Sequence, residues 1–348
     1  MRKFPGISVY LSTFQVQKPL LERVAGTGVR VFISLHVSEE FSPSYCAQAE
    51  ETCRWLSGAG FNVIADISVK TIKQFNEPDL VRLAKRLGIW ALRVDYGLTE
   101  DQIMDLAREM PVAINASTVT PESARRLAGA GSMVMAMHNF YPRPETGLDD
   151  DFYRERTRAL QDMGLHVTAF IPGDGLLRGP LHEGLPTLER HRGLPPSVCL
   201  ADMENCFEAD GIFIADPGLS EGEFARMKRY CSEDILELPA TLSKGYQNLY
   251  GQVFTCRADS PKRLIRFMES REYSCAGAYI EPQHCVNRPR GSVTIDNGSY
   301  DRYSGELQIT RADLPADPRV NVIGQIQPAY LLMADAVRRG GRFVLTPA

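Results

Sequence analysis

The densest group of chemically active side chains lies in a ten-residue loop, residues 138–147, after the sixth apolar run of the chain. An imidazole, an amide, a phenol, a guanidinium, a carboxyl group and a hydroxyl occur together there: His138, Asn139, Tyr141, Arg143, Glu145 and Thr146. Two prolines stiffen the loop, and a guanidinium can hold an oxyanion through paired hydrogen bonds. The loop therefore predicts binding of a polyhydroxylated or anionic ligand, the alternative being an ordinary solvated surface loop.

Two aspartates at the ends of neighbouring apolar runs supply a second kind of chemistry. Asp66 lies near the end of residues 62–67, and Asp95 ends residues 91–95, with Arg93 on the same face of the expected strand. A carboxyl group in a low-dielectric cleft is either a general acid with a raised pKa or, beside a cation, a charged base or nucleophile. We predict that Asp66, Asp95 and Glu145 are catalytic and that one of them is the general acid. The alternative for Asp95, and also for Asp66, is a structural aspartate paired with Arg93.

A glycine-rich stretch between the seventh and eighth apolar runs predicts a phosphate site. Gly175 and Gly179 let backbone amides approach a ligand, and a helix expected to begin near Pro186 would add a partial positive charge. We predict that Arg143 or Arg178 binds the phosphate, together with backbone N–H groups near these glycines. The alternative is that the glycines only form a tight turn.

A bound metal or cofactor is not expected. Five residues could in principle surround a metal: His36, Glu39, Asp66, His138 and Asp216. They show none of the ligand spacings that identify such sites, such as H-x-H or H-E-x-x-H. We therefore predict neither a metal nor a cofactor.

The elements that must position these residues alternate between short apolar runs and amphipathic helices. The eight runs are residues 6–12, 30–35, 62–67, 91–95, 111–116, 132–137, 165–171 and 211–215, and the helix before the eighth is expected at residues 183–190. Eight such pairs predict a (β/α)8 TIM barrel, an α/β fold whose active sites collect at the carboxyl ends of the strands. The predicted substrate-binding residues follow these ends: His36, Glu39, Asn115, His138, Asn139, Tyr141, Arg143, Thr146, Arg178 and Asp216.

The pattern changes after Asp216 and predicts a second domain. We expect the barrel to occupy residues 1–235 and a small, mostly β domain to occupy residues 240–348, with a boundary near Leu236. Its expected strands are residues 253–257, 291–295, 306–310, 320–326 and 342–345, with one helix at residues 262–270. The basic loop at residues 287–291 is either a lid over the barrel or a solvated turn.

Composition excludes several classes of protein. The 39 Lys and Arg against 43 Asp and Glu give a formal charge of −4, which indicates neither a nucleic-acid nor an anionic-membrane partner. The apolar runs fall far short of the roughly 18 residues that cross a bilayer. Eight scattered cysteines without a C-x-x-C pair are typical of free thiols in a reducing compartment. We expect a cytoplasmic protein without nucleic-acid or membrane partners, and a homodimer is left open.

Several motifs occur in the same order as in a known family. They are residues 6–10 (GISVY), 34–36 (SLH), 65–68 (ADIS), 92–97 (LRVDYG), 115–118 (NAST), the 138–147 loop and 184–189 (GLPTLE). The chain resembles the 6-phospho-N-acetylmuramidase (MupG) family. The resemblance implies an N-terminal (β/α)8 barrel followed by a C-terminal cyclophilin-like domain.

The function that this resemblance implies is glycoside hydrolysis in peptidoglycan recycling. The substrate would be a 6-phosphorylated disaccharide, cleaved at its β-1,4 bond to N-acetylmuramic acid 6-phosphate and N-acetylglucosamine. Carboxylates at a barrel mouth suit glycoside chemistry. One alternative is a sugar-phosphate isomerase or lyase that uses Asp66 or His138 for proton transfer. Another is a non-catalytic carbohydrate-binding protein in which the small domain is the working part.

Overall fold

The first eight strands form a closed parallel barrel. The computed structural model describes residues 2–35, 43–130, 133–270 and 279–348, apart from the side chains of Val69, Asp95 and Tyr96. Each barrel strand pairs with the next, and the eighth closes on the first. The strands are β1 (Gly6–Val9), β2 (Arg30–Ser34), β3 (Asn62–Ser68), β4 (Ala91–Tyr96), β5 (Val112–Asn115), β6 (Val134–Met137), β7 (His166–Ile171) and β8 (Gly211–Ile214). The predicted barrel is confirmed.

Helices connect these strands and begin at recognisable caps. They are α1 (Phe14–Val24), α2 (Tyr45–Gly58), α3 (Val69–Phe75), α4 (Leu80–Leu87), α5 (Glu100–Glu109), α6 (Pro121–Ala128), α7 (Asp150–Asp162), α8 (Pro196–Asn205) and α9 (Glu221–Glu233). At the start of α7 the Asp149 carboxylate accepts the Phe152 N–H at 2.8 Å. Such a cap satisfies a backbone donor that the helix leaves unpaired. Within the described part of the chain, no helix is long and apolar enough to span a bilayer.

The interior of the barrel is filled by large and small side chains from different strands. Phe32, Phe170 and Phe213 pack in one cluster with Ala91 and Ala113, and all five are buried. This mixture fills the taper of the barrel, which makes the interior a packed core instead of a channel. Gly6 is required there, because a Cβ atom at this position would lie 2.3 Å from the Phe213 ring.

Residues 183–190, predicted as a helix, are extended up to a 3-10 turn at Glu189–His191. The Thr187 N–H donates to the Phe170 carbonyl at 3.0 Å, and the Leu148 N–H donates to the Thr187 carbonyl at 2.8 Å. The backbone therefore bonds to distant segments, and this competition overrides local helix propensity. The helix between β7 and β8 is α8.

The chain divides into two compact units. The barrel unit comprises Lys3–Pro196 and Glu208–Glu221, and the second unit comprises Arg2, Ser197–Phe207 and Gly222–Ala348. The second unit contains a seven-stranded sheet and the helix α10 (Leu331–Ala336). The strands are β9 (Ile235–Leu242), β10 (Val253–Thr255), β11 (Leu264–Arg266), β12 (Ser292–Asp296), β13 (Leu307–Thr310), β14 (Val320–Ile326) and β15 (Arg342–Pro347). Their order across the sheet is β10-β15-β9-β14-β12-β13-β11.

One local expectation for this sheet was partly wrong, and one strand was missed. Of the helix predicted at residues 262–270, residues 264–266 form β11, which pairs with β13 and buries Ile265, whereas residues 268–270 are helical. Strand β9 was not predicted; it contains Pro239, a residue that usually argues against a central strand. The Pro239 carbonyl accepts the Gln327 N–H at 2.9 Å, so the residue still contributes its one backbone hydrogen-bonding group.

The basic loop at residues 287–291 is anchored within the second unit. Arg290 pairs with Asp335, and Arg288 Nε donates to the Pro315 carbonyl at 3.0 Å. These contacts account for the loop conformation without a ligand.

Candidate active site

A buried ion pair lies near the carboxyl ends of two adjacent barrel strands. The pairing of β3 with β4 sets Asp66 opposite Arg93, and Arg93 Nη1 lies 2.8 Å from Asp66 Oδ1. The Asp66 side chain is only 7% exposed and the Arg93 side chain only 4%. Arg93 also donates to Asn139 Oδ1 from the loop after β6. Arg93 thus links two predicted site residues, Asp66 and Asn139, and its pair with Asp66 is the structural pairing that was the alternative for this aspartate.

This ion pair defines what Asp66 can do chemically. A carboxylate beside a guanidinium is stabilised in its charged form, and a buried charge that loses its partner becomes strongly destabilising. Asp66 is therefore suited to act as a charged carboxylate and poorly suited to donate a proton.

His138 is fully buried directly after β6, and both of its ring nitrogens are engaged. Nδ1 lies 3.1 Å from Ser117 Oγ, Nε2 lies 3.1 Å from Thr157 Oγ1 of α7, and the ring stacks on Tyr153 with centroids 4.7 Å apart. Burial, aided by the charge of Arg156, lowers the pKa of His138 to about 3. The imidazole is therefore neutral at physiological pH and acts on the site through Ser117.

Ser117 is the centre of a second polar cluster. Its hydroxyl accepts the Tyr141 O–H at 3.3 Å, and its backbone N–H donates to Asn115 Oδ1 at 3.0 Å. Asn115, His138 and Tyr141, which come from two strand ends, therefore lie around one hydroxyl. Ser117 was noted in the sequence only as part of a motif, and its central place follows from contacts that no local pattern reveals.

We expect His138 to make the protein less stable as the pH falls from 7.5 to 5.5. An unfolded histidine has a pKa of about 6.5, whereas the buried one has a pKa of about 3. Below pH 6.5 the unfolded state binds a proton that the folded state does not, so this group removes about 1.4 kcal/mol of unfolding free energy by pH 5.5. Urea unfolding of His138→Gln should show a pH dependence weaker by this amount.

The exposed His182 provides the matched control. His182→Gln should keep the pH dependence of the parent protein. If His138→Gln also keeps it, then His138 titrates normally in the folded state and is not the neutral, buried group described above.

The loop after β6 is held by a carboxylate and a guanidinium that the sequence analysis did not select. Glu189 accepts the backbone N–H groups of Glu145 and Gly147, both at 2.8 Å, and Arg192 Nε at 2.6 Å. The bond from Arg192 is the largest cause that lowers the pKa of Glu189 to about 2. A Cβ atom on Gly147 would lie 2.6 Å from Glu189 Oε2, so only glycine fits there.

Arg192 also binds the backbone of two loops, and we call Glu189 and Arg192 together the clamp. Its guanidinium donates to the carbonyl oxygens of Tyr141 at 2.9 Å, Arg143 at 3.3 Å and Gly184 at 3.0 Å. The Thr146 hydroxyl also donates to the Arg143 carbonyl, at 2.6 Å. The main chain of the loop is therefore fixed while the side chains of Arg143 and Glu145 remain exposed. The sequence signals were the 184–189 motif, which ends at Glu189, and the spacing of three residues between Glu189 and Arg192.

Asp216 fixes the loop between β7 and β8 from inside the protein. The buried carboxylate accepts the backbone N–H groups of Gly173, Arg178 and Leu185, each at 3.0 Å. Burial raises its pKa, and these three hydrogen bonds oppose the shift. Asp216, predicted to bind substrate, thus holds the backbone that carries Arg178.

The Arg178 side chain lies over two aromatic rings. Its guanidinium carbon is 4.7 Å from the centroid of Tyr10 and 5.7 Å from that of Phe140. The Tyr10 hydroxyl donates to the Ala215 carbonyl at 2.7 Å, which holds the ring in place. Within the described part of the chain, Arg178 forms no ion pair within 4 Å, although its charge acts on the nearby Asp216 carboxylate.

Three predicted residues cannot be assigned a place in this site. His36 and Glu39 lie outside the described residues, as does the side chain of Asp95, whose backbone ends β4 with Tyr96. Among the residues that are described, no group of three His, Cys, Asp or Glu side chains could hold a metal ion.

The comparisons with known proteins agree with this architecture. A sequence model of the N-terminal part of 6-phospho-N-acetylmuramidases matches residues 5–229, and one of their C-terminal part matches residues 236–346. A conserved protein of unknown function from Enterococcus faecalis is 32% identical with a TM-score of 0.84, covering 99% of this chain and 96% of that one. An uncharacterised B. cereus protein is 23% identical with a TM-score of 0.76, covering 99% and 100%, and shows the fold alone. No curated protein matches significantly. The chain belongs to the 6-phospho-N-acetylmuramidase family.

Proposed function

We propose that the protein is a cytoplasmic glycosidase that cleaves a 6-phosphorylated disaccharide of N-acetylmuramic acid and N-acetylglucosamine in cell-wall recycling. The family match over both parts of the chain supports this reaction class. The observation that carries the proposal is the buried Asp66, whose ion pair with Arg93 lies near the carboxyl ends of barrel strands and which Arg93 links to Asn139. A charged carboxylate suits a sugar ring that develops positive charge in the transition state.

Glycoside hydrolysis requires a second carboxyl group that donates a proton. Asp66 is held as a carboxylate by Arg93, so we assign it the role of base or nucleophile. The general acid is then Glu145 or Asp95. Glu145 is exposed on a loop whose backbone is fixed by Glu189, so its carboxyl group can meet a bound ligand without large loop motion.

The geometry disfavours the alternative of an isomerase or lyase that uses His138. Proton transfer requires a group whose pKa lies near the working pH. Burial lowers the pKa of His138 to about 3, and both ring nitrogens bond to protein hydroxyls. This histidine therefore has neither a free nitrogen nor a suitable pKa for that role.

We assign the substrate phosphate to Arg143. The Arg143 guanidinium is exposed, whereas its backbone carbonyl accepts hydrogen bonds from Arg192 and Thr146. The main chain at Arg143 is therefore fixed while the side chain faces solvent. A bidentate guanidinium is well suited to a phosphate ester.

The test is the rate at which the protein releases N-acetylglucosamine from the phosphorylated disaccharide and from the same disaccharide without phosphate. A charge-assisted hydrogen-bonded pair typically contributes about 1.5–3 kcal/mol. We therefore expect kcat/KM to be at least about 10-fold higher for the phosphorylated substrate. Equal rates for the two substrates, or release from neither, would contradict the proposal.

A further inference from the structure

We propose that Arg178 and the cavity beside it bind the lactyl ether of the muramic acid ring, so that this pocket selects N-acetylmuramic acid over N-acetylglucosamine at the phosphorylated position. The inference rests on the proposed function, because it concerns the substrate of that site. It assigns the two anionic groups of the substrate to two different arginines.

The cavity has the size and the walls that such a group requires. It has a volume of about 320 Å³, and its lining includes the apolar Leu176, Leu177, Pro180 and Pro217, the hydroxyl-bearing Ser12 and Thr13, and the cationic Arg178. A lactyl ether carries one carboxylate and one methyl group. The carboxylate can pair with the guanidinium while the methyl group is buried against leucine and proline, which removes apolar surface from water.

The position of the guanidinium also suits a single carboxylate. Arg178 lies over Tyr10 and Phe140, and these rings hold its planar head without using its N–H donors. Within the described residues it has no carboxylate partner. A planar guanidinium that keeps its donors matches a planar carboxylate through two parallel hydrogen bonds.

The same loop is poorly equipped to bind a phosphate. A phosphate ester presents three terminal oxygens and is usually bound where several backbone N–H groups converge. Here the N–H groups of Gly173, Arg178 and Leu185 all donate to Asp216. The Gly175 N–H points to the Gly218 carbonyl at 3.4 Å. With these amides engaged, the loop offers the guanidinium and an apolar wall, which fits a lactyl group better than a phosphate.

Asp216 makes the arrangement rigid. It joins three positions of one loop, at residues 173, 178 and 185, through a single buried carboxylate. The backbone that carries Arg178 is thereby fixed before a ligand arrives, which reduces the entropy that binding must overcome.

The experiment compares two monosaccharides that differ only in the lactyl group, N-acetylmuramic acid 6-phosphate and N-acetylglucosamine 6-phosphate. Calorimetric titration of the full chain should show that the first binds at least about 30-fold more tightly, because a charged hydrogen-bonded pair contributes about 2 kcal/mol or more. Arg178→Met keeps the apolar contact with the rings and removes the charge. This variant should lower affinity for the first ligand to that for the second and leave the second unchanged.

Arg143→Met is the matched control, and it should weaken both ligands equally while preserving the preference. The proposal is overturned if the parent protein has no preference, if Arg178→Met keeps it, or if Arg178→Met weakens both ligands equally, since Arg178 would then bind the phosphate. Absence of binding by both ligands would also overturn it. Arg178→Gln serves as a second variant if Arg178→Met fails to fold. Disaccharide cleavage, assayed separately on the parent, decides the proposed function independently of this result.

Discussion

Replacing Asp66 by asparagine is expected to lower kcat for the phosphorylated disaccharide by about 10²- to 10⁴-fold, the usual cost of losing general acid–base or comparable carboxylate catalysis. The side chain keeps its shape but loses the charge that lies 2.8 Å from Arg93. Affinity for substrate should change much less, because the carboxylate acts mainly in the transition state. Steady-state kinetics of the purified variant measure both effects.

Two further variants separate chemistry from folding. Asp66→Asn removes the carboxylate that pairs with the buried Arg93, and breaking a buried ion pair can cost about 3–5 kcal/mol of stability. Asp66→Glu keeps the charge but displaces it by one methylene group, and a misplacement of about 1 Å can still cost about 10²-fold in rate. Asp105→Asn, which breaks an exposed ion pair with Arg108, should leave kcat unchanged. Activity within a few-fold of the parent in both Asp66 variants would place the catalytic carboxylates elsewhere.

Replacing Arg192 by lysine should damage both activity and stability. Lysine keeps the charge but cannot make the planar set of hydrogen bonds to Glu189 and to the carbonyls of Tyr141, Arg143 and Gly184. We expect kcat/KM to fall by about 10²-fold, because Glu145 and Arg143 lose their fixed backbone. The free energy of unfolding should fall by about 1–3 kcal/mol, since lysine cannot replace all of the hydrogen bonds that Arg192 makes to Glu189 and to the three carbonyls.

The control for this variant is Arg126→Lys, whose side chain is 53% exposed and pairs with Glu100. Such a surface pair contributes little, and the control should behave like the parent. Combining Arg192→Lys with Glu189→Gln tests whether the two residues act together. If they do, the double variant should lose less unfolding free energy than the sum of the losses of the two single variants. An Arg192→Lys variant with full activity would show that the loop holds its conformation without the clamp.

The parts of the fold that follow local periodicity were predictable from the sequence. Asp66 and Asn115 could be placed at strand ends because an apolar run precedes each of them, and parallel strands bring their carboxyl ends to one face. The loop after β6 was predictable for the same reason. The pairing of Arg93 with Asp66 was not predictable in this way, because Asp66 lies 27 residues away in the chain and only the register of β3 with β4 sets it opposite Arg93.

The residues that position the site could not be identified in this way. Glu189 and Arg192 lie in a segment with helix-forming residues, and their roles arise from backbone groups more than 40 residues away in the chain. Asp216 illustrates the same limit, since a polar residue after a strand looks identical in sequence whether it faces a ligand or accepts buried N–H groups. Burial and long-range hydrogen bonding, which distinguish the two, are properties of the folded chain.

The most direct measurement of the central claim is the identity of the products formed from the phosphorylated disaccharide. Mass spectrometry after incubation with the parent protein should detect N-acetylmuramic acid 6-phosphate and N-acetylglucosamine in equal amounts, with one water molecule consumed per bond. The Asp66→Asn variant should leave the disaccharide intact over the same time. A rearranged product with the mass of the substrate would indicate an isomerase, and an unsaturated sugar formed without water would indicate a lyase. Intact substrate after incubation with the parent protein would indicate a binding protein. Each of these three results would contradict the proposed hydrolysis.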